Sequence, residues 1–168
     1  MSEKSLYISY SDDWNQKQAK FVKDILKSVL EGFASFSNCE VSVRLTGDGE
    51  IKELNKRYRN IDKPTNVLSF SLENNVKHSE KIMLGDIVIS KDTIDKECEE
   101  LEKSFESHLA FMVVHGFLHL LGFTHDKMNE AKLMEGQEIQ ILKKIGFSNP
   151  YEEAVSYTHL TLPTTPYV

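Results

Sequence analysis

Leu6, Ile8 and Tyr10 alternate with Tyr7 and Ser9, the two-residue period of a strand. Beyond them Trp14, Phe21, Val22, Ile25, Leu26, Val29, Leu30 and Phe33 recur at helical spacing and predict an amphipathic helix, with Asp12 or Asp13 as its expected N-cap. The alternation is clearest in the next stretch, where Cys39, Val41, Val43 and Leu45 point one way and Glu40, Ser42, Arg44 and Thr46 the other. A strand, a helix and a strand in that order favour a right-handed crossover between parallel neighbours. Asp48 is then expected to cap a short helix over 49–59, which Pro64 keeps from continuing. Residues 66–72 and 82–90 read as two further strands separated by a polar loop. From Lys91 onward the pattern is helical, with a break near Ser104, an apolar helix over 108–121 that stops at Gly122, and a last helix over 127–145. These elements predict an α+β fold, a four-stranded, mostly parallel mixed sheet packed with about four to five helices.

The length of 168 residues fits one domain, expected to occupy residues 1–150. From Val155 the chain turns rich in Thr and Pro, has no period, and resembles peptides that arise when adapter DNA is translated onto an open reading frame. Residues 151–168 are therefore expected to be a non-native or disordered tail, and His159 within it is not a candidate ligand. Apolar residues make up 40% and charged residues 27%, a globular balance, and no apolar run approaches the roughly 20 residues that span a bilayer. The first residues lack the layout of a secretory signal, and Cys39 and Cys98 have no metal spacing, so both are expected as reduced thiols in the cytoplasm. A net charge of −6 argues against a surface that coats nucleic acid everywhere, yet leaves room for a local basic patch such as Lys52, Lys56, Arg57, Arg59 and Lys63.

The candidate chemistry lies between His115 and Asp126. On a helix, His115 and His119 share one face a turn apart, about 6 Å along the axis. Gly122 can take positive φ and turn the chain back, so that His125 offers a third nitrogen. Three neutral imidazoles with an open fourth position form the donor set of a catalytic zinc site, and nickel or cobalt would also be accepted. Such a site holds a metal-bound water whose pKa falls toward about 7, a nucleophile for hydrolysis. The spacing is also that of metzincin proteases, but Gly116 stands where their general-base Glu would be, which argues against a peptidase of that type. His108 would lie about 10 Å further along the axis and is assigned to the core or to support of the site.

Two further stretches complete a pattern. Asn55, Tyr58, Arg59, Asp62, Pro64, Thr65, Asn66, Val67, Leu68, Ser69 and Phe70 match one motif, and Leu84, Gly85, Asp86, Ile87, Ile89 and Ser90 another. With the histidine stretch, they make the chain resemble the YbeY endoribonucleases. The resemblance implies a cytoplasmic, metal-dependent, single-strand-specific endoribonuclease with a three-histidine metal site. It implies a role in 3′-end maturation of the small-subunit rRNA and in ribosome quality control, with rRNA and the small ribosomal subunit as partners and neither DNA nor membrane. It also singles out Arg59 as catalytic and substrate-binding, with Lys56 and Arg57 binding substrate beside it; a guanidinium there can grip a phosphate bidentately and stabilise developing charge.

One departure stands out. Many members carry Asp immediately before the third histidine, where this chain has Thr124, followed after the histidine by Asp126. The group that orients a ligating imidazole is then expected to be Asp126, or Thr124 more weakly. Asp86 in an apolar strand is expected to orient backbone or a ligand, or to hold a turn, and Ser69 and Phe70 to pack. Two other readings compete: a non-catalytic ribosome-assembly factor with a structural metal, and a metallohydrolase of another substrate class.

Overall fold

Strand β2 (Cys39–Thr46) is central to the sheet and shows why the chain folds in layers: its residues alternate between buried and half-buried, and each set faces a different environment. The computed structural model describes residues 5–33, 39–72, 77–78 and 81–152. Within them run β1 (Ser5–Tyr10), α1 (Gln16–Glu31), β2, α2 (Asp48–Arg59), β3 (Val67–Ser71), β4 (Lys77–His78), β5 (Lys81–Ser90), α3 (Lys91–Leu101), α4 (Phe105–Leu120) and α5 (Met128–Lys144). The strand order is β1-β2-β5-β3. β1 and β5 both run parallel to β2, whereas β3 is antiparallel to β5, so the expected mostly parallel mixed sheet forms. Two-residue β4 also pairs with β5, inside the segment read as a polar loop. The rest of that loop, 73–76 and 79–80, and the tail from 153 lie outside the described residues.

The inner face of the sheet carries the main core. Val41, Val43, Leu45, Ile87 and Ile89 pack there beneath α1 and α4. Helix α4 is buried at every position from His108 to Leu118, as a helix apolar on all sides must be. It lies so close to the sheet that a Cβ at Gly116 would come 3.0 Å from Ile87 Cγ2, 3.1 Å from Val67 Cγ2 and 3.2 Å from Ser69 Oγ. Space for packing, not catalysis, explains the glycine in the histidine motif. The outer face bears a smaller cluster in which Ile51 of α2 covers Leu68 and Val88.

The helix starts differ from the sequence reading. Asn15, not Asp12 or Asp13, caps α1 in a capping box with Gln18. The reason is Trp14, whose amide closes a turn onto Ser11 and whose indole Nε1–H donates to the Thr46 carbonyl at 2.8 Å, so helix can begin only after it. Helix α2 starts one residue early, on Gly47, because the Asp48 carboxylate accepts instead from the Ser90 and Thr93 hydroxyls. Ser104 caps α4 at the expected break. Tyr151, beyond the expected domain end, packs its ring on Phe111 at 5.5 Å between centroids.

Candidate metal centre

The end of α4 is shaped by Gly122. With φ at +100° it follows the C-cap Leu121, and the amides of Gly122 and Phe123 return to the carbonyls of His119 and Leu118 at 3.0 and 3.1 Å. That reversal carries His125 back over the helix. Its ring centroid lies 5.6 Å from that of His115 and 5.1 Å from that of His119. The expected histidines therefore meet: each offers a ring nitrogen, and the nitrogens all lie within 4.8 Å of one another.

Hydrogen bonds decide which nitrogens face the gap. His115 Nδ1 lies 2.5 Å from the Glu138 carboxylate and His119 Nδ1 lies 2.9 Å from the Phe123 carbonyl, so both Nδ1 atoms carry the proton and donate. Both Nε2 atoms are then lone-pair donors, and they stand 3.1 Å apart. Two lone pairs facing at that distance repel unless a cation lies between them. His125 Nε2 is buried with no hydrogen-bond partner among the described residues, a cost that coordination would remove. Imidazole ligands about 2.0–2.1 Å from a tetrahedral zinc would have nitrogens at about this separation. Burial first, then the nearness of the His115 imidazole, pushes the His119 imidazole down to about 4, so it is neutral at pH 7 and available as a ligand. The three-histidine group can hold a metal ion.

The carboxylate on the His115 imidazole is one the sequence reading missed. Glu138 is completely buried on α5, with Tyr151 Oη–H donating to its other oxygen. Its trace in the sequence is an acidic residue on the buried stripe Met134, Glu138, Leu142. The expected orienting groups lie elsewhere: Thr124 donates to Glu130 at 2.9 Å, and Asp126 is exposed. His108 is buried with Nε2 2.8 Å from Glu97, which also accepts from Asn66 at the head of β3.

Arg59, Lys56 and Arg57 are exposed in the last turn of α2, where cations complement the helix dipole. Arg59 Nη1 donates to Asn55 Oδ1 at 3.3 Å, and buried Asn55 in turn donates from Nδ2 to the Lys63 carbonyl at 2.9 Å, anchoring this end of the helix. Helix α2, at its basic last turn, and helix α4 lie against opposite faces of β3, the edge strand. Tyr58 touches Phe70 on one side, with centroids 5.2 Å apart, while Ser69 donates to the Gly116 carbonyl at 2.8 Å on the other. Asp86 is exposed on the outer face and does not join the histidines.

A family profile described as endoribonuclease YbeY matches residues 7–146. An endoribonuclease YbeY of Rhizobium etli is 49% identical over 116 residues, 67% of each chain. One from Ruthia magnifica is 49% identical over 130 residues, 77% of this chain and 86% of its own. A Thermotoga maritima protein solved in solution superposes with a TM-score of 0.56 at 25% identity, covering 88% of this chain and 99% of its own. The chain belongs to the YbeY family of endoribonucleases.

Proposed function

We propose that the protein is a metal-dependent, single-strand-specific endoribonuclease that matures the 3′ end of small-subunit rRNA and serves ribosome quality control in the cytoplasm. His115, His119 and His125 hold the ion, with zinc the best fit to three imidazoles and nickel or cobalt as substitutes. The observation that carries this reading is the pair of Nε2 lone pairs meeting at 3.1 Å beside the unpartnered His125 Nε2. When bound, the ion would supply Lewis acidity toward a phosphodiester oxygen and acidify a water molecule. Glu138 keeps the His115 proton on Nδ1 and so fixes the ligating nitrogen. Arg59 grips the phosphate and stabilises the charge it gains, while Lys56 and Arg57 draw the strand toward the β3 edge.

Cleavage of a single-stranded rRNA fragment, with and without chelator, tests the proposal. The His119→Ala variant loses both metal, read by elemental analysis, and cleavage; full activity in that variant would overturn the reading. Arg59→Glu keeps its metal and loses on the order of 100- to 1,000-fold in turnover. Unaltered turnover would remove Arg59 from the mechanism.

A further inference from the structure

Among the described residues, the outer face of the sheet is only partly covered. Helix α2 covers Leu68 and Val88, and beyond it one register line crosses four strands: Tyr7 of β1 pairs with Ser42 of β2, Ser42 with Asp86 of β5, and Asp86 with Phe70 of β3. The four side chains share a face, because their neighbours Leu6, Ile8, Val41, Val43 and Ile87 belong to the inner core and Ser69 bonds to α4. Tyr58 stands edge-on to Phe70, and Tyr58 and Tyr7 are 60% and 55% exposed. A groove of about 380 Å³ on this face is bordered by Ser42, Tyr58, Phe70 and Asp86. A second, of about 570 Å³, runs round the β1 edge between Tyr7, Ser42 and the α1 residues Gln16, Lys20 and Lys23. Arg44 is turned onto Glu50, with Nη2 3.1 Å from Oε1 and Nε 3.2 Å from Oε2. Asp86 is exposed and makes no hydrogen bond or ion pair among the described residues.

We propose that this row is a platform for unpaired bases of the RNA strand, an assignment that rests on the endoribonuclease reading. One base stacks at Tyr58 and Phe70 and another at Tyr7, about 14 Å away across three strand spacings. An open sheet presenting aromatic rings is a recurring way to hold two or three bases of single-stranded RNA, and every base has a face to stack. Between the rings, the Asp86 carboxylate accepts only from a donor, so it repels phosphate and favours the exocyclic amino group of cytosine over the O4 carbonyl that uracil presents in its place. The phosphates run instead along the rim, where Lys56, Arg57 and Arg59 stand at the Tyr58 end. From Phe70 the strand has only to round the edge of β3 to reach the α4 side, because Ser69 and Phe70 are consecutive and face opposite ways.

The experiment measures binding of short cytosine-rich and uracil-rich RNAs to the whole protein by fluorescence anisotropy, in chelator so that no cleavage intervenes. Thermal unfolding is followed in the same buffer. Tyr7→Ala and Tyr58→Ala are each expected to weaken binding roughly 5- to 150-fold with little change in unfolding midpoint. Asp86→Asn should bind both RNAs but lose the preference for cytosine. In the metal-loaded wild-type protein, a photoreactive nucleotide should cross-link within Tyr58 or Phe70, a result that depends on no variant folding. Wild-type affinity in both tyrosine variants overturns the platform, and a face that docks a protein instead would give that outcome. If the wild-type protein still cleaves rRNA fragments with metal, the platform alone has failed; if it neither binds nor cleaves them, the endoribonuclease reading has failed first.

Discussion

At the scale of single residues, the site depends on where two protons sit. Glu138 and the Phe123 carbonyl hold the Nδ1 protons of His115 and His119, leaving Nε2 of each as the donor. Replacing Glu138 with Gln removes the charge while keeping the shape, and is expected to weaken metal binding about 10- to 100-fold in competition with a chromogenic chelator. The meeting of the three histidines was legible because helical geometry and one glycine determine it within eleven residues of sequence. Glu138 was not, since it reaches His115 from 23 positions away and looks like one more acidic residue on an amphipathic helix. Thr124 stands beside His125 in the motif, yet its hydroxyl serves Glu130. Cys98 gives a separate prediction. Burial, then Asp95 and Glu97, push its thiol up to about 11, so the thiolate form is scarce at pH 8 and grows only as pH approaches that value. Its alkylation by iodoacetamide should be slow at pH 8 and climb toward pH 11, whereas a plateau near pH 9 would contradict the assignment.

Among elements, the contact between α4 and the sheet decides most. Gly116 lets the helix backbone approach Val67, Ser69 and Ile87 while His115 and His119 remain at the helix end. A Gly116→Glu variant therefore restores the metzincin residue in sequence without restoring a protease. It should instead destabilise the fold by about 3 kcal/mol or more, through overpacking and a buried carboxylate, as read by chemical denaturation. An unchanged midpoint would show that the helix can lift off the sheet at little cost. Most elements were legible because their periods differ so clearly: two for β2, helical for α1, and apolar throughout for α4. Their first residues were less so, because a tertiary anchor can override local capping preference. Trp14 holds the Thr46 carbonyl and delays α1 to Asn15, and Asp48 is engaged by Ser90 and Thr93 from across the fold.

For the whole molecule, a net charge of −6 coexists with a basic turn at the end of α2. On the proposed reading, RNA attraction is local and its salt dependence should be shallow. With Lys56, Arg57 and Arg59 as the phosphate contacts, log affinity should fall with log salt at a slope of about −2. A slope several times steeper would mean that other cations carry the binding. Because an ion would bind the folded chain and not the unfolded one, chelation should also lower the unfolding midpoint. At a metal concentration a hundredfold above Kd the difference is about 2.7 kcal/mol, or roughly 5–10 °C for a domain of this size. The parallel pairing of β1 with β2 followed from the strand-helix-strand order, but no local pattern in the sequence announces that Tyr7, Ser42, Asp86 and Phe70 fall on one line. That alignment depends on registers among four separated segments, including a shift between Glu40 and Val41 in the pairing of β2 with β5.

The bond from His115 to Glu138, continued by the Tyr151 hydroxyl, ties α4, α5 and the chain beyond α5 into one unit. It limits what an engineer could transplant. The eleven-residue stretch from His115 to His125, grafted onto a helix of some unrelated scaffold, would bring all three imidazoles but leave the tautomer of the first unspecified. The smallest portable version of this centre runs from α4 through Tyr151.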